Sequence, residues 1–567
     1  MKNKVKKRRL SLIDVENILK KQTLLFSMWG CENEKSWPYQ WYPFLKKIFK
    51  EVILFDPRKK RIQYGAEEMK KKFFDIVRTK KPNYFLFLIE SNNINIEMIE
   101  KINKLSPNTK TIVHFGDDDI HFEDRSRYYA LFIDYCLIAQ VDYISNYKKE
   151  GLLNTLPINC PLDIKKFMDL RLKKIYDLSF IGQPYPSRVK IMRFLIENGI
   201  KINLWGNGWH NYPEFKEIYR GPINFDEYIK IVNQSKINLG FSLNQYNVPH
   251  LKGRVFEVAA CKSFQLVDYY KGYLRFFKED EEIVMFKDRF ELLKKIKYYL
   301  KNEKEREKIA ERAYKKIIKN NKIDLVLKNV FKRILEANKF RKSLPTINKK
   351  FIEISKKDIN DGHDKLKERL KDYDYVSFSY GKSENHKYKN YLQIYSLEKT
   401  RRNISCCNYF FNDKFLGDYA TFGTFASLKK IRKDDFVKLL NLNQIMVSRN
   451  YFLNNFEKFK KSFEDHEIDI IDENNTAFVS IPLVRLKNLN KINRKNINEI
   501  RYSSLVRALQ MNFKFRLQEL IYQRKILTGP YLFNLIFRSF LEGNIFILRH
   551  LINSSFSKEN WYRVKNS

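Results

Sequence analysis

The segment HLKGRVFEVAACKSFQLVDYYKG, residues 250–272, decides the fold predicted for this chain. A glycine opens a short apolar stretch with helical spacing, and the apolar run SFQLVDY follows directly. A short helix that leads straight into a buried strand is typical of a helix–strand repeat around a parallel sheet. Arg254 and Glu257 are three residues apart, so both side chains lie on one face of the first helical turn.

Similar apolar runs lie on both sides of this segment, separated by stretches with helical spacing. The runs are DLSFIG (177–182), KINLWG (201–206), KINLGFS (236–242) and EEIVMF (281–286). A long charged stretch with helical spacing closes the set, from about residue 289 to residue 337. The alternation predicts a Rossmann-like domain over residues 166–340.

The first part of the chain repeats the same alternation. Its apolar runs are TLLFSMW (23–29), EVILFD (51–56), NYFLFLIE (83–90), TKTIVHFG (109–116) and DYCLIAQ (134–140). They predict a second Rossmann-like domain over residues 1–165, whereas residues 341–567 do not continue the pattern. We therefore expect an α/β protein with two Rossmann-like domains and a C-terminal α+β or α/β domain that ends in helices. Open sheets of this kind bind ligands at the carboxyl ends of their strands.

The composition is strongly basic but globular. The 567 residues include 108 Lys and Arg against 66 Asp and Glu, a formal net charge of +42. Aromatic residues make up 15% of the chain, which excludes a disordered basic tail. The basic excess is spread along the whole length, so it does not indicate a specific nucleic-acid-binding module. A solvated lysine-rich surface and attraction to anionic lipid or to phosphate-bearing substrates both remain open.

Cysteine usage and hydropathy indicate the compartment. The six cysteines form no CxxC pair, and the N-terminal segment lacks the features of a signal peptide. The uncharged run ILTGPYLFNLIF, residues 526–537, is too short to span a bilayer. We expect a cytoplasmic protein that attaches at most peripherally to the inner face of the membrane. Because no G-x-G-x-x-G or P-loop pattern follows a first strand, an NAD enzyme or a P-loop ATPase is disfavoured.

The chemistry of residues 250–272 points to phosphate. A helix N-terminus offers free N–H groups and a positive dipole end, and an arginine adds bidentate phosphate contacts. A carboxylate one turn into the helix can accept hydrogen bonds from the two hydroxyls of a ribose. Arg254 and Glu257 suit these roles, although a simple surface ion pair has the same spacing. Gly30 and Gly182 end the first strand of each domain, where a tight turn and a ligand contact are equally compatible with glycine.

Five blocks between residues 177 and 300 resemble the donor-binding domain of GT-B glycosyltransferases of the CgeB-like, group 1 type. They are DLSFIGQPYPSRVKIMRFL, INLWGNGWH, FDEYIKIVNQSKINLGFSLN, GRVFEVAACKSFQLVDYY and EDEEIVMFKDRFELLKKIKYYL. The resemblance covers about residues 20–335. It implies sugar transfer from a nucleotide-diphosphate donor to a saccharide or lipid-linked glycan acceptor, with no metal and no cofactor required.

The same resemblance assigns donor-side roles to individual residues. It implies that Glu257 holds the ribose and that Arg254 is the basic residue before it. The remaining donor-side positions are Gly182, Arg188, Gly206, Asn207 and Gly208. Many retaining group 1 enzymes have a second glutamate eight residues before the ribose-binding one. Here that position is Pro249, which leaves inversion or retention open.

On the acceptor side, the strand end of HFGDDDIHFEDRSRYYALFIDYCLIA, residues 114–139, resembles the W-x-x-D-D type segment of the same family. An inverting transferase needs a general base, and Asp118 is the predicted one if its carboxylate faces the cleft. The acceptor-side candidates are Gly30, Asp117, Asp119 and Arg125. Aspartates at this position also commonly cap a helix. Three nearby histidines are interpreted as packing or surface residues: His121, His210 and His250.

Two stretches of the C-terminal region, 351–381 and 446–482, resemble parts of family 2 type GT-A glycosyltransferases. Asn360, Gly362 and His363 match the first part. Glu464 and Asp465 match the last, unless they are a solvated acidic stretch. Ser379, Tyr380 and Gly381 stand where the acidic metal-binding pair belongs, which predicts a degenerate scaffold, acceptor-binding or partner-binding domain. Residues 501–553 read as amphipathic helices that dock on the core or lie at a membrane interface.

The resemblance favours an enzyme of capsule, lipopolysaccharide or other cell-surface polysaccharide synthesis. A noncatalytic glycan- or partner-binding protein that keeps the fold is the alternative from another class. A basic protein associated with nucleic acid is the third.

Overall fold

The computed structural model describes residues 9–34, 36–89, 94–244, 247–337, 344–379, 383–413, 417–420, 442–465, 470–471 and 475–486. The chain forms two compact units whose main division falls between Leu344 and Pro345. The first unit contains two parallel sheets, and the second contains a mixed sheet. Among the described helices, none is long and apolar enough to cross a membrane.

The first sheet has six parallel strands in the order β2-β1-β3-β4-β5-β6. They are β1 (Thr23–Ser27), β2 (Glu51–Leu54), β3 (Tyr84–Leu88), β4 (Lys110–Phe115), β5 (Tyr135–Ile138) and β6 (Thr155–Pro157). The helices are α1 (Leu12–Leu19), α2 (Tyr42–Ile48), α3 (Pro57–Tyr64), α4 (Ala66–Lys80), α5 (Ile96–Leu105), α6 (Asp118–His121), α7 (Arg127–Ala130) and α8 (Ile144–Lys149). All five predicted strands are confirmed, and β6 is an additional three-residue edge strand.

The second sheet has five parallel strands in the order β11-β10-β9-β7-β8. They are β7 (Tyr176–Ile181), β8 (Ile202–Trp205), β9 (Ser235–Gly240), β10 (Gln265–Asp268) and β11 (Val284–Phe286). The helices are α9 (Pro186–Glu197), α10 (Phe225–Gln234), α11 (Gly253–Ala260), α12 (Arg289–Lys301), α13 (Glu303–Asn320) and α14 (Ile323–Glu336). The two Rossmann-like domains predicted from the sequence are therefore confirmed.

Helix α14 follows the second sheet in the chain but packs in the core of the first. Its buried residues Val330 and Ile334 share a cluster with Phe26 of β1. The hydroxyl of Tyr135 donates to the carbonyl of Ile334 at 3.3 Å. Helical spacing predicts that α14 is a helix, but it does not indicate which of two sheets the helix covers.

The third sheet, in the second unit, is mixed, with the order β12-β13-β17-β15-β18-β14 and β16 paired to β15. Its strands are β12 (Phe351–Ile354), β13 (Tyr375–Phe378), β14 (Ser383–Asn385), β15 (Ile404–Asp413), β16 (Gly417–Ala420), β17 (Ile445–Ser448) and β18 (Thr476–Leu486). The helices are α15 (Lys356–Asn360), α16 (His363–Arg369), α17 (Lys389–Thr400), α18 (Arg449–Asn454) and α19 (Phe456–Asp465). The amphipathic helices predicted over 501–553 lie outside the described residues.

Candidate active site

A cavity of 380 Å³ opens where β7 and β9 lie side by side. The chain leaves β7 toward β8 on one side and returns to β9 on the other, so this is the point where the strand order reverses. Crevices at such points are the usual ligand sites of open parallel sheets. The volume lies within the range of small-molecule sites. Polar and charged residues in its lining include Arg188, Tyr228, Lys252, Arg254 and Glu257.

Glu257 is fixed in the cavity by Tyr228. The Tyr228 hydroxyl donates to Oε2 of Glu257 at 2.8 Å. Burial raises the pKa of the Glu257 carboxyl, and the nearby charge of Arg254 opposes that rise. One carboxylate oxygen therefore has a fixed donor, and the orientation of the group is set before any ligand arrives.

Arg254 has a hydrogen-bond donor that the protein does not use. Its guanidinium lies 5.4 Å from the centre of the Tyr228 ring. Its Nε is buried and has no hydrogen-bond partner. No side chain caps the N-terminus of α11, where Gly253 and Arg254 line the cavity. Free N–H groups and an uncommitted guanidinium at one place form a site suited to an anion.

Arg188 lies in the same cavity but is largely committed to the protein. It is 7% exposed, and it donates to the carbonyls of Gln183 at 3.1 Å and Leu243 at 3.0 Å. Its guanidinium stacks 4.0 Å from the centre of the Tyr185 ring. Burial lowers its pKa to about 10. Arg188 therefore holds two loops in place and adds positive charge to the cavity wall.

Lys252 is a cavity residue that the sequence did not single out. Burial, together with the positive charge of Arg188, lowers the pKa of its ammonium group to about 8. It immediately precedes α11, so it stands beside the same N–H groups as Arg254. The signal was present in the sequence K-G-R before Glu257, where two cations flank the glycine.

The loop of Gly206, Asn207 and Gly208 supports the cavity from behind and is not part of its lining. Gly206 has φ +115°, and a Cβ there would lie 2.6 Å from the carbonyl oxygen of Gly182. The buried indole of Trp209 donates to the same oxygen at 2.7 Å. Asn207 is exposed. These residues fix the turn after β7, and Gly182 itself lines the cavity.

Asp118 does not face a cleft, contrary to the premise of its predicted catalytic role. It is 1% exposed, and the Tyr147 hydroxyl lies 3.1 Å from both of its carboxylate oxygens. Burial raises its pKa to about 7. Arg125 is also buried, in a π-helical turn that follows α6. Both side chains are buried in the protein, so neither presents its polar atoms to solvent.

Gly30 serves a turn after β1. It has φ +70°, and its N–H donates to Oδ2 of Asp56 at 2.5 Å. A Cβ at this position would lie 2.9 Å from the Ser36 side chain. The turn interpretation of this glycine therefore has a direct steric basis.

Asp119 and His250 form a pair that joins the first parallel sheet to the second. Nδ1 of His250 lies 2.9 Å from Oδ1 of Asp119, and Asn244 donates to Oδ2 at 2.7 Å. Although burial opposes ionisation of Asp119, the contacts with His250 and Asn244 lower its pKa. The side chain of His250 is 14% exposed, and its Nε2 lies 4.0 Å from exposed Asp117. The interpretation of His250 as a packing residue missed this pairing, because its partner is 131 positions earlier in the chain.

The same three residues, Asp117, Asp119 and His250, offer ligand atoms within 4.8 Å of one another. Such spacing is compatible with a cation, but Oδ1 of Asp119 already lies 2.9 Å from Nδ1 of His250, and its Oδ2 already accepts from Asn244. Positive charge at the donor cavity is supplied by Arg188, Lys252 and Arg254. These contacts do not call for a metal ion. That the reaction needs no metal stays a prediction.

Comparison with known proteins finds a family match over most of the second parallel sheet and its helices. The sequence profile of a family described as "Glycosyl transferase-like" matches residues 188–331. This part of the chain is therefore similar to glycosyltransferases. The structure has the two parallel sheets that the sequence predicted. The matched segment includes Arg188, Lys252, Arg254 and Glu257.

The individual proteins to which the chain is similar are distant. The spore protein CgeB of Bacillus subtilis (strain 168) is 23% identical over 221 residues, which is 35% of this chain and 68% of that protein. Among solved structures, sucrose-phosphate synthase from Thermosynechococcus elongatus has a TM-score of 0.43 at 10% identity, covering 56% of this chain and 100% of that one. Anabaena HepE in complex with UDP has a TM-score of 0.41 at 10% identity, with the same coverage.

The residues singled out in the C-terminal region lie on helix ends. Asn360 ends α15, and His363 begins α16 with its ring 5.2 Å from that of Phe456. Gly362 has φ +93° between the two helices. Glu464 and Asp465 end α19, where Glu464 is exposed. Ser379 follows β13, and Tyr380 and Gly381 lie outside the described residues.

Proposed function

We propose that the chain transfers a sugar from a nucleotide-diphosphate donor to a saccharide acceptor. The observation that carries this is the cavity at the start of α11, where Glu257 is oriented by Tyr228 beside the uncommitted guanidinium of Arg254. A carboxylate and a cationic helix N-terminus at this spacing match the ribose and the diphosphate of one ligand.

The chemistry follows from the charges. The donor diphosphate lies at the N-terminus of α11, and Lys252 and Arg254 balance the negative charge that grows as the anomeric C–O bond breaks. Because the N–H groups at the start of α11 are fixed by the helix, their contribution needs no reorganisation during the reaction. The nucleotide sugar supplies the activated bond, so no further cofactor is needed.

The acceptor hydroxyl must lose a proton as its oxygen bonds to the anomeric carbon. We assign this step to Nε2 of His250, which must give up its 3.2 Å contact with Nε2 of Gln140 to take the proton. Asp119 at Nδ1 fixes the tautomer and stabilises the imidazolium. The exposed carboxylate of Asp117, 4.0 Å from Nε2, adds a second negative charge beside the ring. Asp118 has no direct part in this step.

The destination of the product follows from the family resemblance and the charge. The net charge of +42 would favour a position at anionic membrane surfaces and near phosphate-bearing glycan carriers. We therefore propose a role in cell-surface polysaccharide synthesis, in the cytoplasm or at the inner face of the membrane. A lipid-linked glycan is then a suitable acceptor.

The test is a thermal-shift screen of the full chain against UDP, GDP, CDP, ADP and their sugar conjugates. A ligand that binds only the native state raises the melting temperature. In Glu257→Ala, the best ligand should no longer raise the melting temperature and should no longer be hydrolysed or transferred. The matched control is Glu217→Ala, at an exposed position, which should keep both the thermal shift and the turnover. If no nucleotide raises the melting temperature of the wild type, the noncatalytic binding protein is the better assignment.

A further inference from the structure

Trp37 is a large aromatic side chain left exposed beside the first parallel sheet. It follows β1 and precedes a 3₁₀ turn, Pro38–Trp41. Of its surface, 43% is exposed, whereas Trp41 is 1% exposed. The two indole rings meet edge to face with centroids 5.9 Å apart. Trp41 therefore anchors Trp37, which is held in one place while still reaching solvent.

His114, near the end of β4, brings an unused polar atom to the same place. Its ring centre lies 6.1 Å from that of Trp37 and 5.4 Å from that of Trp41. The residue is 6% exposed, and its Nδ1 has no hydrogen-bond partner. Buried polar atoms without partners are uncommon in proteins, and a missing ligand is one explanation. Burial also lowers the pKa of His114 to about 4, so the ring is neutral at physiological pH.

This pair lies next to the groups assigned to proton transfer. Asp117 is three residues beyond His114, and its charge acts on the His114 ring. The carboxylate of Asp117 is 4.0 Å from Nε2 of His250. Asp117 therefore connects the His114 ring electrostatically to the imidazole that would accept the proton.

We propose that Trp37 and His114 form an acceptor subsite that binds a pyranose ring of the acceptor saccharide; this rests on the proposed function. The aliphatic C–H groups of a pyranose carry partial positive charge, and an aromatic face carries negative charge, so the two surfaces attract as they exclude water. A ring hydroxyl supplies the partner that Nδ1 of His114 lacks. Acceptors without an apolar ring face, such as glycerol phosphate, gain little from this arrangement.

The first experiment measures binding without turnover. Saturation-transfer NMR is recorded on the full chain with methyl glucoside, methyl galactoside, methyl N-acetylglucosaminide and glycerol 3-phosphate. We expect at least one pyranoside to bind the wild type through its C–H protons, with loss of that signal in Trp37→Ala and its retention in Trp37→Phe. The matched control is Phe290→Ala, which removes an aromatic side chain that is 63% exposed on α12.

The second experiment separates this subsite from the donor site. With the nucleotide sugar found in the thermal screen, Trp37→Ala should raise the KM for the pyranoside about tenfold or more and leave donor hydrolysis unchanged. His114→Phe keeps the aromatic ring but removes Nδ1, so it should raise the same KM. An unchanged thermal shift with nucleotide shows that both variants are folded.

The two proposals fail in different ways. If no pyranoside binds the wild type, or if Trp37→Ala binds it as well as the wild type does, the acceptor subsite is wrong. The subsite would also be wrong if Trp37→Ala reduced the binding of a pyranoside and of glycerol 3-phosphate equally. Failure of every nucleotide to bind, with pyranoside binding intact and dependent on Trp37, would reject the proposed sugar transfer and leave the saccharide subsite standing.

Discussion

The carboxyl edges of the two parallel sheets use similar residue types but pair them differently. At the edge of the first sheet, Asp56 accepts from three backbone N–H groups, Asp118 from Tyr147, and Asp119 from Asn244. At the edge of the second, Arg254 has a buried Nε with no partner, and Lys252 is desolvated beside another cation. These acids of the first edge accept hydrogen bonds within the protein, whereas Arg254 of the second edge keeps a donor that the protein does not use.

This difference distinguishes charged residues that stabilise the fold from charged residues that are available to a ligand. Burying a charge is costly unless it is paired, so a cation with an unused donor in a cavity is a candidate for binding an anionic ligand. His250 is the exception that connects the two edges, since it belongs to the second domain but pairs with Asp119 of the first. The predictions that follow test the division, from the largest expected effect to the smallest.

Replacing His250 should have the largest effect on turnover. His250→Gln removes the proposed base, and we expect the rate of transfer to fall by about 10²- to 10⁴-fold, since general base catalysis typically contributes that much. Donor affinity, measured by thermal shift, should not change. His210→Gln, at an exposed position, is the matched control. Transfer at the wild-type rate by His250→Gln would remove this residue from the mechanism.

Gly206 should be the most sensitive glycine behind the donor cavity. An alanine Cβ would lie 2.6 Å from the backbone oxygen of Gly182, at φ +115°. We expect Gly206→Ala to lower the free energy of unfolding by about 3 kcal/mol and to weaken nucleotide binding. Gly221 has φ +96° with nothing within 4 Å of its Cβ position, so Gly221→Ala should cost only about 1 kcal/mol. Chemical denaturation measures both losses of unfolding free energy. If the two are equal, the backbone conformation alone, and not the contact of the Cβ with Gly182, determines the loss.

Asp118 should behave as a buried acid and not as a catalyst. Its pKa is raised to about 7 in the folded state, so it stays protonated between about pH 4 and pH 7 while the unfolded chain ionises. Its contribution to stability therefore falls as pH rises through that window. Asp118→Asn, which cannot ionise, should gain about 2 kcal/mol of stability relative to the wild type between pH 5.5 and pH 8. Transfer activity should stay within about threefold, and a loss of 10²-fold would restore Asp118 as a catalytic candidate.

The sequence predicted the fold well because the fold depends on local patterns. Apolar runs separated by helical spacing marked ten of the eleven strands of the parallel sheets, and the missing one, β6, has only three residues. The packing of α14 on the first sheet could not be read in this way, because helical spacing shows that a face is buried without showing its partner.

The site was predictable only where its residues are neighbours in the chain. Arg254 and Glu257 share one helical turn, so their common face follows from spacing. The pairing of Asp119 with His250 and of Glu257 with Tyr228 depends on tertiary packing. Burial of Asp118 has the same origin, since three consecutive aspartates look alike until the fold exposes one and encloses the other two.

Lys252 should give donor binding a pH dependence that the other cations do not. Burial and the charge of Arg188 lower its pKa to about 8, so the free protein loses this positive charge above pH 8. A bound diphosphate favours the protonated form, which means that affinity should fall by up to about tenfold per pH unit as pH rises from 8 toward 9.5. Lys252→Arg keeps its charge throughout this range, so its affinity should be nearly flat, and Lys252→Ala should be weaker and equally flat. Titration of the nucleotide sugar at several pH values gives the three profiles. A wild-type slope that persists in Lys252→Arg would mean that another group of the cavity titrates, and the cationic edge of the second sheet would then rest on Arg254 and the N-terminus of α11 alone.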